Sequence, residues 1–409
     1  MNLTAVPTGS VRVKQLCDVV DVRAGLRRPT LLAVSIHHGV VPRSELTDDE
    51  PRADDLSGYK LCEPGDLVLN RMRAFQGAIG VTNSAGMVSP DYLVLRPRPS
   101  VEARFLHHLF RSSWFVGEMV ARLRGIGSVD TGMVRTPRIN AEDLFDIRVA
   151  QPSGAEQRAI AAYLDRETAR IDALIGAKQR MLGLLEERRA AMIAQAVTPA
   201  TGASDWRLLR LRHVLHRLID TEHKTAPFYD DGEFLVVRTN NISRGRLVVG
   251  PGSKFTDSAG YHEWTRRGVP QAGDILLTRE APAGEACLVP NGLQACIGQR
   301  TLMLKVDESR ILARYCLWAL YGGIARSFID ELSQGSTVAH LNMADISDIP
   351  LWVPSIAEQR SLADGLDRST RRIDATTAIV QRQIGLLTGR RQALSTAGVT
   401  GNLPIPVAA

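Results

Sequence analysis

The sequence predicts an α+β protein: two similar mixed α/β domains separated by two long helices packed as an antiparallel coiled coil, with an internal pseudo-twofold repeat. Three observations carry this. The block Pro152-Ser153-Gly154-Ala155-Glu156-Gln157-Arg158 recurs 202 positions later as Pro354-Ser355-Ile356-Ala357-Glu358-Gln359-Arg360. The register after each block holds without a gap over some forty residues, and both copies carry a heptad seam. The expected order is a first domain over 1–151, a first helix over 152–200, a second domain over 201–353, a second helix over 354–403 and a flexible tail over 404–409.

The gapless stretch must be helical. One inserted residue would rotate everything beyond it by about 100° and destroy the packing face, whereas loops absorb insertions. Leu164-Asp165-Arg166 matches Leu366-Asp367-Arg368, Arg170-Ile171-Asp172-Ala173 matches Arg372-Ile373-Asp374-Ala375, and Arg188-Arg189 matches Arg390-Arg391. Buried-type positions advance by alternating fours and threes. The first copy gives Leu164, Thr168, Ile171, Ile175, Lys178, Leu182, Leu185, Arg189 and Met192; the second gives Leu366, Thr370, Ile373, Thr377, Val380, Ile384, Leu387, Arg391 and Leu394. Stripes this alike and this apolar are expected to cover each other, and about 40 helical residues make a rod of roughly 60 Å.

Between the rods the repeat is weaker. Gly65-Asp66-Leu67-Val68-Leu69-Asn70 resembles Gly273-Asp274-Ile275-Leu276-Leu277-Thr278, each a short apolar strand after a Gly-Asp turn. Tyr92-Leu93-Val94-Leu95-Arg96 answers to Thr301-Leu302-Met303-Leu304-Lys305, and the helical Phe105–Phe110 to Tyr315–Leu320. Ile139-Asn140 and Leu341-Asn342 restore the offset of 202. His37-His38-Gly39-Val40 has no counterpart beside Arg238-Thr239-Asn240-Asn241, so a common frame carries different loops, as expected of two readers of different ligands.

With 44% apolar and 23% charged residues, the 409-residue chain can bury sizeable cores, and its apolar runs fall short of the roughly 20 residues of a membrane helix. Residues 1–14 have no apolar core of a secretion signal, which sets the expectation of a cytoplasmic protein. Cys17, Cys62, Cys287, Cys296 and Cys316 show no metal-type spacing and are expected as buried thiols. The net charge of +6 is mild, but only six of the 50 basic side chains are lysine. Arginine forks grip phosphate or guanine edges with two bonds; GC-rich codon usage gives the same bias.

The doubled architecture resembles the specificity subunits of type I restriction-modification systems over nearly the whole chain, from about Val11 to Leu403. Its carriers are the two Pro-Ser-x-Ala-Glu-Gln-Arg blocks with their heptads, together with Gly273-Asp274-Ile275-Leu276-Leu277 and Gly298-Gln299-Arg300. The resemblance implies two target-recognition domains, each reading half of a bipartite double-stranded DNA site, and helices that fix the unread spacing. It also implies that each helix docks one of two methyltransferase subunits and that motor-nuclease restriction subunits join. S-adenosylmethionine and ATP then belong to the partners, with no cofactor and no catalysis in this chain.

Loop position and side-chain type nominate the DNA contacts. In the first domain they are Arg71, Arg73 and Gln76 after the Gly-Asp strand, with Arg135 and Arg138 before Asn140. In the second they are Arg238, Asn240, Asn241, Arg279, Gln299, Arg300 and His340. Asn140 and Asn342 are expected to cap the turns after them.

Enzymatic readings are weak. Ser89-Pro90-Asp91-Tyr92 only superficially matches the Asn-Pro-Pro-Tyr loop of adenine methyltransferases, and no glycine-rich cofactor turn precedes it. There is no GxxxxGK[ST] loop, His107-His108 sits on an apolar-striped helix, and His37-His38 lacks an acidic partner at metal-ligand spacing. A two-headed coiled-coil adaptor without DNA recognition is the alternative. A relative working with a different restriction partner is a third reading.

Overall fold

The computed structural model describes residues 10–36, 39–47, 55–123, 138–202, 205–221, 224–334 and 340–406. His37, His38 and the nominated Arg135 lie outside them. The protein is of the α+β class, and it forms two compact units: residues 1–179 with 382–409, and residues 180–381.

The first domain is built on an antiparallel sheet of β1 (Cys17–Val20), β2 (Leu67–Asn70), β3 (Ile79–Val81) and β4 (Tyr92–Pro97), in the order β1-β4-β2-β3. All four residues of β2 are buried because both faces of the sheet are covered. Leu67 and Leu69 face a core shared with α1 (Ala103–Arg111) and α2 (Ser113–Val120), while the alternate Val68 joins a smaller cluster with Leu32, Val88 and Val94. The Gly-Asp turn before β2 has a physical reason. Gly65 takes a φ of +93°, which favours glycine, and the Asp66 carboxylate is held by the Arg96 guanidinium through bonds of 2.8 and 2.9 Å.

After the first domain the chain enters α3 (Gly154–Ala196). The second domain then repeats the frame with β5 (Leu215–Asp220), β6 (Ile275–Thr278), β7 (Ala286–Leu288) and β8 (Thr301–Val306), ordered β5-β8-β6-β7. Ile275 and Leu277 face the core beneath α4 (Ala313–Leu320) and α5 (Gly323–Gln334), and Leu276 faces the opposite cluster. Gly273, φ +89°, and Asp274, bonded to Lys305 at 2.6 Å, restate the Gly65-Asp66 turn. The chain ends in α6 (Ile356–Val399).

The two long helices start alike. Ser153 Oγ accepts from the Glu156 amide and Glu156 Oε2 accepts from the Ser153 amide, a reciprocal cap. Ser355 Oγ likewise accepts from Glu358 N, while Glu358 turns its carboxylate to the Trp206 indole N–H. The next residue, a glutamine in both copies, fastens each helix to its domain. Gln157 accepts from Glu102 N and donates to the Pro152 carbonyl; Gln359 accepts from Leu312 N and donates to the carbonyls of Pro354 and Arg310.

α3 and α6 pack antiparallel. In the first unit Leu164 lies against Gly398, Asp172 binds Arg391 at 2.8 Å and Lys178 donates to Gln383 at 2.6 Å; in the second, Arg189 meets Asp374 at 3.4 Å. One residue number climbs as the other falls. Leu164, Ile171, Leu366, Ile373 and Val380 are buried, and Ile175, Leu182, Leu185, Ile384 and Leu387 are half-buried. Leu174, Met181, Leu184, Ile379 and Leu386, outside the seam, are exposed.

All five cysteines are buried and free. Burial pushes the thiols of Cys17, Cys287, Cys296 and Cys316 up to about 12, so they stay protonated and unreactive. Among the described residues, no helix is long and apolar enough to cross a membrane.

Candidate nucleic-acid interface

At the end of β6, Arg279 turns inward. Its Nε donates to the Leu341 carbonyl at 3.1 Å, its Nη1 binds Asp220 at 2.8 Å and its Nη2 lies 3.1 Å from His340 Nε2; the residue is 7% exposed. Arg71, at the same place after β2, donates from Nε to the Ile139 carbonyl at 3.0 Å and from Nη2 to Asn140 Oδ1 at 2.8 Å. Both arginines clamp the segment that leads into the last short helix of their domain. That helix is Ala141–Phe145 in the first domain and Met343–Asp348 in the second. The nominated Arg279 is therefore a scaffold residue whose donors are spent inside the fold. Arg71 is half-buried and shares the clamping role.

Asn241 is also interior, at 1% exposure. It accepts from the Arg238 amide and donates to the Val248 carbonyl and Ser253 Oγ, so it closes a turn and offers nothing to a groove. Arg238 and Asn240, beside it, are exposed. Asn342 caps its helix by accepting from the Asp345 amide, whereas Asn140, in the equivalent place, accepts from Arg71 instead.

Three further nominated residues of the second domain converge. Gln299 and Arg300 lie in the turn before β8, and His340 pairs with Glu280 in an isolated bridge. Glu280 Oε1 is 2.5 Å from Arg300 Nε, and its Oε2 is 3.2 Å from His340 Nδ1. Gln299 receives a bond of 3.3 Å from Thr225 Oγ1. In the first domain Arg73, Gln76 and Arg138 are exposed. Gln76 lies on an open groove of about 840 Å³ whose other lining residues include Arg111, Asp172 and Arg391. Burial holds the Arg111 guanidinium below the usual arginine value, with the Arg391 charge acting in the same direction.

Sequence reasoning missed Glu280, which joins two nominated residues. It also missed the packing role of His108, whose Nε2 meets Asp165 at 2.7 Å where the second domain sets the Trp318 indole against Asp367, also at 2.7 Å. The offset of 202 between Asp165 and Asp367 was the signal that could have found it.

The arrangement suits polar recognition: exposed arginine, asparagine and glutamine side chains stand on turns braced by internal hydrogen bonds and, around Arg279 and Arg300, by ion pairs. Residues 204–383 match the family model of the type I restriction modification DNA specificity domain. Similar proteins include the type I restriction enzyme EcoBI specificity subunit of Escherichia coli, 33% identical over 109 residues, and the EcoDI specificity subunit of the same species, 31% identical over 105. These stretches cover 27% and 26% of this chain and 23% of each relative. Among solved structures, a chain from work on complex assembly and conformational transition of the type I R-M system shares the fold over 98% of this chain and 100% of its own, with a TM-score of 0.70 at 18% identity. The HsdS subunit from Thermoanaerobacter tengcongensis matches over 98% of this chain and 99% of its own, with a TM-score of 0.50 at 19% identity. The second half of the chain is thus similar to the type I specificity domain, and the whole length shares the fold of those two solved chains.

Proposed function

We propose that this chain is a non-catalytic, cytoplasmic DNA-binding subunit whose two domains each read one half of a bipartite target. The observation that carries the reading is the doubled frame with unlike turns. Identical strand orders, matching Gly-Asp turns and matching Arg71 and Arg279 clamps hold up turns of different charge. Arg73, Gln76, Arg138, Arg238, Asn240, Gln299 and Arg300 are the proposed contacts; Arg135 stays with them by sequence position alone. His340 acts through its neighbours, since both ring nitrogens face other side chains.

The helices are proposed to set the unread spacing and to dock two methyltransferase subunits. Leu184 and Leu386, at matching positions of α3 and α6, are 64% and 65% exposed and lie between matching arginines, Arg180 with Arg188 and Arg382 with Arg390. A duplicated apolar contact ringed by cations fits two copies of one partner. Motor-nuclease subunits would complete the assembly, and S-adenosylmethionine and ATP would be bound by partners.

Gel-shift titration with random duplex at several salt concentrations tests the reading. Phosphate contacts predict a steep fall of affinity with salt. Absent or salt-insensitive binding, with the methyltransferase partner present, would instead favour a two-headed protein adaptor docking through the exposed leucines.

A further inference from the structure

Each domain enters the long strand of its sheet through a turn of three residues, Ser89-Pro90-Asp91 before β4 and Gly298-Gln299-Arg300 before β8. The strand pairings Asn70 with Tyr92 and Thr278 with Thr301 put these turns at the same place on the two sheets. Equivalent positions thus carry opposite charges, Asp91 and Arg300, and both residues are exposed.

Arg300 is held, not merely solvated. Its φ of +71° lies in the left-handed region, where a side chain is strained and glycine is favoured. Such strain persists where the surroundings fix it, most often at functional positions. The fixing groups form a relay. Asp220 binds Arg279, and Arg279 Nη2 faces His340 Nε2. Arginine can only donate, so Nε2 accepts, the ring proton sits on Nδ1, and Nδ1 donates to Glu280. Glu280 in turn grips Arg300 at Nε. No acceptor among the described residues meets the terminal nitrogens of Arg300, which are left as a two-pronged donor at the surface.

We propose that the two turns are the equivalent base-reading positions of the two domains: Arg300, oriented by Glu280, donates to the O6/N7 edge of a guanine, and Asp91 accepts from the exocyclic amino group of a cytosine or adenine. This rests on the DNA-reading function proposed above. A phosphate cannot be the ligand common to both positions, because the Asp91 carboxylate repels it. Base edges in the major groove offer both kinds of partner, acceptor pairs and amino donors. Glu280 is a positioning residue that touches no DNA.

Selection of bound duplexes from a library with a randomised window, read by sequencing, tests the assignment on the full chain and on Arg300→Gly, Glu280→Gln and Asp91→Asn. Arg300→Gly is expected to lose guanine preference at one position of the motif by roughly ten- to a hundredfold while the rest of the motif stands. Its melting temperature should hold or rise, since glycine relieves the left-handed strain. Glu280→Gln should weaken the same position to a smaller extent, and Asp91→Asn should alter a different position, whose base tells cytosine from adenine. An unchanged motif in Arg300→Gly overturns the proposal, as does uniform weakening on all sequences with a shallower salt slope, the mark of a phosphate contact. A parent chain that selects no motif would sink the DNA-reading function itself, and this assignment with it.

Discussion

Arg189 meets Asp374 at 3.4 Å across the two long helices, and the residues 202 positions away in each case, Arg391 and Asp172, meet at 2.8 Å. The pairing repeats, but its surroundings do not. The Arg189 side chain is 5% exposed, lies over the rings of Trp318 and Tyr321 and donates to the Arg244 carbonyl, while Arg244 and Arg246 also approach Asp374. Asp172, by contrast, is 49% exposed. Asp374→Asn should therefore destabilise by about 3 kcal/mol, because it strands the buried Arg189, whereas Asp172→Asn should cost less than about 1 kcal/mol. Urea unfolding of the two variants decides; equal losses would show that burial does not govern the pair.

Gln157 and Gln359 make the second test. Each is essentially unexposed and satisfies a backbone N–H and at least one carbonyl where a long helix joins its domain. Gln359→Ala removes those partners without exposing them to water, so a loss of about 1–3 kcal/mol is expected. A change within a few tenths of a kcal/mol in chemical denaturation would mean that water replaces the amide.

The long helices were legible because a gapless repeat and a seam are properties of sequence spacing alone. The glutamines were legible in principle, since a polar residue kept in both copies of the block asks for a partner. Arg279 and Asn241 were not, because whether a loop side chain points in or out depends on backbone turns formed with residues sixty or only a few positions away, such as Leu341 and Val248. Glu280 escaped for the same reason: its two partners, His340 and Arg300, come together only when the sheet closes.

His107 sets an acid limit. It is half-buried on α1, and burial, aided by His108, Arg111 and Arg104, pushes its pKa down to about 3. An unfolded histidine titrates near 6.5, so below that value the unfolded chain takes up a proton that the folded chain refuses. Stability from this residue is full above about 6.5 and declines as the pH falls toward 3. Between pH 7 and 5 the loss should be about 1–2 kcal/mol. Melting curves at both pH values for the parent and His107→Phe isolate the effect, because other titrating groups cancel in the comparison; identical pH sensitivity would refute it.

The spacing role proposed for the helices predicts a change in target without a change in letters. Four residues added within 175 to 190 rotate the remainder of the helix by about 40° beyond a full turn and advance it by about 6 Å along the axis. The seam tolerates a four-residue insertion as a local unwinding, so the helix should survive it. At 3.4 Å per step along a strand, the unread segment should grow by about two base pairs, or binding should fail if the partner helix cannot adjust. Both half-site sequences should stay as they were, because every proposed contact lies in the domains. Methylation mapping in cells carrying the variant and the proposed methyltransferase partner reads the outcome directly. New bases within a half-site would mean that the helices take part in reading and do not serve as a spacer.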